Sequence, residues 1–180
     1  MSDARVWIGC LGCYNAGELV GNWSDAEFAG DVTPEQVHGG ETDHEELWVF
    51  DHEGFLGALT GECSPGWAQQ VAEGLSDIPE DGAPAFAIWL RLVESESYSP
   101  WEWANKFREQ YRGEWGSQAD YAENWFYDTA EPELQRLVAD KVWPFDSIDW
   151  DAASEDMFVN GSEEAEASSN GGVYVFVLDD

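Results

Sequence analysis

Short runs of strand-forming residues separated by turn residues mark the first sixty positions. Arg5-Val-Trp-Ile-Gly9 reads as a strand, Tyr14-Asn-Ala-Gly17 has the turn chemistry of a hairpin, and Leu19-Val-Gly-Asn-Trp23 is the returning strand. Thr33, Pro34 and Gln36 then predict a helix start. A cap hydroxyl is followed by a proline at the first helical position and a side chain able to reach back to the cap, and Gly39-Gly40 ends the segment. Glu46-Leu-Trp-Val-Phe-Asp51 is rich in strand formers and would complete a three-stranded sheet.

From about Ser64 the pattern turns helical. Residues 65–75 and 84–93 are apolar enough to pack on one another across a turn at 77–82 that contains Pro79 and Gly82. Ser99-Pro100-Trp101-Glu102 is a second capping box, and it precedes Trp103, Phe107 and Tyr111, whose four-residue spacing marks one helical face that Gly113 stops. Further helices are predicted over 117–127, over 132–142 with Leu134, Leu137 and Val138 on one side, and from Asp149. Residues 157–160 and 173–178 read as paired strands, joined by a mobile Ser-, Glu- and Gly-rich loop over 161–172. There is no internal repeat. The expected fold is α+β in three small domains: a three-stranded sheet with a helix (1–62), a helical bundle (63–113) and a mixed C-terminal domain (114–180).

Charge changes this ordinary picture. The chain sums to −31, and between Val6 and Leu90 it carries sixteen carboxylates and no lysine or arginine. High charge with low hydrophobicity is a signature of disorder, but eleven tryptophans, nine phenylalanines and six tyrosines argue for a packed core. Such a surface repels nucleic acid and anionic lipid, so neither is an expected partner; a cationic protein groove is. No apolar run could span a bilayer, the N-terminus lacks a signal-peptide pattern, and a cytoplasmic location is expected. In quantity, the net charge equals that of about 53 Å of duplex, or roughly fifteen base pairs.

Conventional chemistry is sparse. Cys10-Leu-Gly-Cys13 lies at a strand end without a second CxxC to complete a zinc site. Adding Cys63 and one of His38, His44 or His52 would give four ligands on an irregular spacing, so the cysteines are read as packing residues and no metal or cofactor is expected. His44 and His52 have acidic neighbours because carboxylates are so frequent here. Asp149-Trp-Asp151 begins like a calcium loop, but Ala153 and Ser154 replace a ligand and the turn glycine. No catalytic constellation can be assembled, and no enzyme activity is expected.

Several blocks carry a family likeness. Trp7-Ile-Gly9, Tyr14-Asn15-Ala-Gly17-Glu-Leu19-Val-Gly21-Asn-Trp23, Asp51-His-Glu53-Gly54-Phe55 and Tyr111-Arg-Gly113-Glu-Trp115-Gly-Ser117 resemble, in order and spacing, the ArdA antirestriction proteins, as do Ile148-Asp149-Trp-Asp-Ala152, Asp156-Met157 and Gly172-Val-Tyr-Val-Phe176. The resemblance implies an elongated, bent chain of three small domains that forms a homodimer through its C-terminal domain. It also implies a DNA mimic that occupies the DNA-binding groove of type I restriction-modification enzymes, in their methyltransferase and specificity core, and blocks restriction and often modification. Against the family pattern, Cys10 and Cys13 sit in a variable loop, Glu155 stands where a basic residue is expected, and the 161–172 loop is enlarged.

Carboxylates standing in for phosphates would form charge-assisted hydrogen bonds with groove lysines and arginines. The expected contact set is Asp25, Glu27, Asp31, Glu35, Glu41, Asp43, Glu45, Glu46, Asp51, Glu53, Glu62, Glu73, Asp77, Glu80, Asp81, Glu94 and Glu96, because basic residues return only from Arg91 onward. A competing reading keeps the acidity as adaptation to high salt in a binding or scaffold protein. The scarcity of lysine, two in all, fits that composition too.

Overall fold

The computed structural model describes residues 4–93 and 98–178. The fold mixes helix and strand, and the chain divides into two compact units, Met1–Phe107 and Arg108–Asp180. No helix among the described residues is long and apolar enough to cross a membrane.

In the first unit β1 (Arg5–Cys10) is the centre of an antiparallel sheet of order β2-β1-β3, flanked by β2 (Gly21–Asp25) and β3 (Leu47–Glu53). Alternation along β1 sends Val6, Ile8 and Cys10 into the core and leaves Arg5 and Trp7 on the opposite face. Trp7 lies across the backbone of Gly9 in its own strand and of Gly21 in β2. A Cβ at Gly21 would come 2.5 Å from its ring and 2.7 Å from the Ile8 carbonyl oxygen, and one at Gly9 would come 2.6 Å from the ring. These two glycines therefore exist to admit an indole, and Phe50 closes its edge with centroids 5.9 Å apart.

The hairpin between β1 and β2 is longer than the sequence suggests. Cys10 starts a short helix, α1 (Leu11–Asn15), before the chain turns at Gly17, whose φ of 83° suits glycine. A 3-10 helix (Ala26–Asp31) follows β2, and α2 (Pro34–His38) starts with the expected reciprocal cap: Thr33 Oγ1 accepts the Gln36 N–H while Gln36 Oε1 accepts the Thr33 N–H at 2.8 Å.

Helices α3 (Pro65–Ser76), α4 (Ala83–Leu92) and α5 (Pro100–Gln110) follow. Phe86, Trp89 and Trp103 are fully buried, with Phe86 stacked on Trp89 at 5.7 Å and Trp67 edge-on to Trp103 at 5.6 Å. Glu102 accepts the Ser99 N–H at 3.1 Å, the acidic half of the predicted cap. The sequence boundary at 62/63 falls inside this unit, where Val49 and Cys63 pair as a β-bridge and the 3-10 helix packs on α3.

The second unit holds an antiparallel sheet of order β4-β6-β5, from β4 (Tyr111–Trp115), β5 (Glu163–Ala167) and β6 (Val173–Val177), with α6 (Gln118–Thr129), α7 (Pro132–Ala139) and α8 (Trp150–Asn160). Three expectations are corrected here. Tyr111 belongs to β4 rather than to the Trp103 helical face, and Gly113, at φ 107°, marks a register shift in that strand rather than a helix stop. Residues 157–160 finish α8 rather than forming a strand: Met157 and Phe158 continue the helical period from buried Ser154, and Phe158 meets Tyr121 at 5.9 Å. Finally, β6 pairs with Glu163–Ala167 inside the supposed loop, where Glu-Glu-Ala-Glu-Ala alternates so that Ala165 faces Val175. The other helix expectations stand within a few residues, with α7 ending at Ala139 and Asp149 capping α8 through the Ala152 N–H at 3.0 Å.

The crowding around Trp7 makes a direct prediction. Gly21→Ala should cost about 1–3 kcal/mol through overpacking, while Gly40→Ala, where a Cβ would meet nothing within 4 Å, should be close to neutral. Urea midpoints compare them, and equal midpoints would contradict the packing described.

Candidate interaction surface

The fifteen expected contact carboxylates from Asp25 to Asp81 all lie in described residues, and every one is exposed. Glu94 and Glu96 lie outside the described residues. All fifteen belong to the first unit. Asp25 ends β2, Glu27 and Asp31 sit on the 3-10 helix, and Glu35 occupies the first turn of α2. Glu41, Asp43, Glu45 and Glu46 line the loop into β3, which carries Asp51 and Glu53. Glu62 precedes α3, Glu73 lies on it, Asp77 caps its C-terminus, and Glu80 and Asp81 occupy the turn before α4.

A β-bulge decides which way β3 presents its acids. Val49 is opposite Ile8 on the buried face, yet Asp51 is opposite Trp7 on the outer face, because the register shifts between Trp7 and Ile8 and Phe50 is the extra residue. Without that bulge Asp51 would share the inward face of Val49. The same register sets Arg5 between Asp25 on one neighbour and Glu53 on the other.

Arg5 is the cation at the edge of the basic-free stretch, and it is already occupied. Its guanidinium lies 3.7 Å from Glu53 and 5.6 Å from the centroid of Trp23. Both partners are exposed, so the pair adds at most about 1 kcal/mol of stability. Among the described residues Glu53 is the one member of the fifteen in an ion pair. Asp51 accepts the His52 N–H at 2.8 Å and Glu73 accepts the Gln69 amide at 2.8 Å. The Glu35 carboxyl is held below the usual glutamate range, first by its own backbone N–H and then by the Thr33 hydroxyl. These contacts orient carboxylates without cancelling their charge.

Two kinds of residue on this surface escape the sequence reading. Glu18, in the same basic-free stretch, is also exposed. Trp23 and Phe28 are 40% and 54% exposed, so aromatic side chains that composition assigns to a core stand among the acids.

A separate cluster forms at one end of the first sheet. Cys10 and Cys13 are buried, and one ligand atom from each of Cys10, Cys13, His38 and His44 lies within 4.8 Å of the others. His44 Nδ1 is 3.1 Å from Cys10 Sγ and 3.3 Å from Cys13 Sγ, and His38 Nε2 is 4.0 Å from Cys13 Sγ. Cys63 and His52 are not members. Burial pushes the Cys63 thiol up to about 11, and His52 packs edge-on against Phe55 at 5.6 Å. The short α1 and the cap ending α2 bring the four together, and the sequence signal for it was the pair of local spacings, C-x-x-C and His38 with His44.

No curated protein matches the chain. The antirestriction protein (ArdA) family matches it over residues 6–169, from the first residue of the basic-free stretch into the last β-hairpin. The chain belongs to the ArdA family of antirestriction proteins.

Proposed function

We propose that this protein blocks type I restriction-modification enzymes by offering their DNA-binding groove a protein surface charged like DNA. The observation that carries the proposal is the exposure of all sixteen carboxylates between Val6 and Leu90, a stretch without a competing lysine or arginine. Groove cations that normally meet phosphates would meet these carboxylates through charge-assisted hydrogen bonds. The contact needs no particular base sequence and turns over no substrate. All of these carboxylates lie in the first unit, so that unit would carry the charge offered to the groove. A homodimer through residues 114–180 would double it, and the exposed Trp143 (81%) and Val159 (73%) offer apolar area for that contact. Sedimentation at the mass of a single chain across the micromolar range would remove the dimer from the proposal.

The inhibitory activity itself is tested with unmodified DNA and a type I enzyme. Stoichiometric protein should protect the DNA from cleavage, and failure to protect at a large excess would refute the proposal. Because the interface is distributed, single neutralisations should weaken inhibition by no more than about 1 kcal/mol, or roughly fivefold. The quadruple variant E73Q/D77N/E80Q/D81N should lose about 1–4 kcal/mol, and an unchanged inhibition constant would place the contact elsewhere. Circular dichroism at low ionic strength separates the salt-adaptation reading. A mimic remains folded there and inhibits more strongly, whereas an acidic surface adapted to high salt loses structure.

A further inference from the structure

We propose that Cys10, Cys13, His38 and His44 form a structural zinc site. The four come from separate places in the chain: the last residue of β1, the middle of α1, the last residue of α2 and the loop before β3. Chance alone would rarely bring two thiols and two imidazoles to one point in a chain with three cysteines and three histidines. A tetrahedral ion with bonds of about 2.3 Å to sulfur and 2.0–2.1 Å to nitrogen sets its ligand atoms about 3.3–3.8 Å apart. The recorded separations of 3.1, 3.3 and 4.0 Å bracket those edges, so small side-chain adjustments would close the shell.

The donor types select the metal. Two sulfurs and two imidazoles suit zinc and are poor ligands for calcium or magnesium, which take oxygen. The abundant carboxylates are therefore not competitors for the same ion. Local spacing agrees, since C-x2-C and H-x5-H both fall within the ranges of structural zinc sites. The intervening segment is longer than in a zinc finger because it contains β2, the 3-10 helix and α2.

The surroundings hold the ligands in place. Cys10 Sγ accepts the Cys13 N–H at 3.4 Å, which fixes this sulfur against the first turn of α1. His38 is followed at once by Gly39 at φ 69°, which ends α2 on the ligand itself. A Cβ at Gly12 would come 3.4 Å from the His44 ring, so the short helix packs closely against this histidine. Thr42 Oγ1 accepts the His44 N–H at 3.1 Å. A redox role fits less well, because Cys10 and Cys13 are only 1% and 6% exposed and a dithiol that exchanges with partners must be reached by them.

Zinc here would pin the loop that bears Glu41, Asp43, Glu45 and Glu46 to the end of β1. One divalent cation with two thiolates and two neutral imidazoles sums to zero. The ion would thus order part of the acidic surface without adding positive charge to it.

The test uses the full-length protein, stripped of metal under reducing conditions and titrated with cobalt(II) and then zinc. Wild type should take up one cobalt per chain, with a thiolate-to-cobalt charge-transfer band and tetrahedral visible bands that zinc abolishes. His44→Ala, at an exposed position outside the core, should lower affinity by more than the roughly 10–100-fold that loss of an outer-shell partner costs. Cys63→Ser should bind as wild type does. Zinc should also raise the unfolding temperature of wild type and of Cys63→Ser but not of His44→Ala. Absence of uptake by wild type, or an affinity of His44→Ala within threefold of it, would overturn the assignment. Neither readout depends on whether the protein blocks restriction.

Discussion

Like-charge repulsion across the first unit is the constraint that the rest of the structure answers. Between Val6 and Leu90 the surface has no cation of its own, and Arg5, at its edge, is already held by Glu53 and Trp23. Within that stretch the side chains cannot offset the repulsion by pairing with one another, so burial must supply much of the offset. Phe86, Trp89 and Trp103 are fully buried, and each large apolar side chain contributes roughly 1.5–3 kcal/mol. Aromatic contacts such as Phe86 on Trp89 and Trp67 on Trp103 add about 0.5–1.5 kcal/mol apiece. A Cβ at Gly74 would come 2.8 Å from the Trp103 ring, so a glycine lets the helix come that close to the indole. The abundance of tryptophan and the excess of carboxylate are thus two sides of one requirement.

The same requirement explains why the backbone, rather than the side chains alone, arranges the charges. On β3 a bulge at Phe50 turns Asp51 and Glu53 to the outer face, while Val49 stays against Ile8. On α2 the capping box fixes the turn that presents Glu35 and keeps its carboxyl ionised. Charges fixed to strands and capped helices are preorganised, which would reduce the ordering cost of the proposed association with a cationic groove. Membership in the antirestriction family and this exposed acidic surface are both compatible with the function proposed above, in which charge would be the working feature.

Much of the fold was legible where a local rule acts alone. Thr33, Ser64, Ser117 and Asp149 each cap a helix as their side chains dictate, and β1 and β3 stand where β-branched and aromatic residues cluster, whereas β2, expected over 19–23, runs Gly21–Asp25 where its pairing with β1 places it. Local rules do not suffice where a long-range partner decides. Glu163–Ala167 has poor strand formers and is a strand because Val173–Val177 needs a neighbour. Tyr111 fits a helical face equally well and is claimed by Phe176 instead, 5.5 Å away. At the surface the exposed carboxylates were legible from charge, whereas the bulge that aims Asp51 and the meeting of His38 and His44 with the two cysteines depend on tertiary structure.

The central claim is that the acidic face takes the place of DNA rather than binding beside it. Equilibrium competition on a type I methyltransferase core, with a fluorescent duplex carrying its recognition sequence, tests this most directly. The account predicts complete displacement of the duplex, with its apparent Kd rising linearly with protein concentration and no complex holding both. A ternary complex of enzyme, duplex and this protein, with the Kd for DNA reaching a plateau, would contradict it.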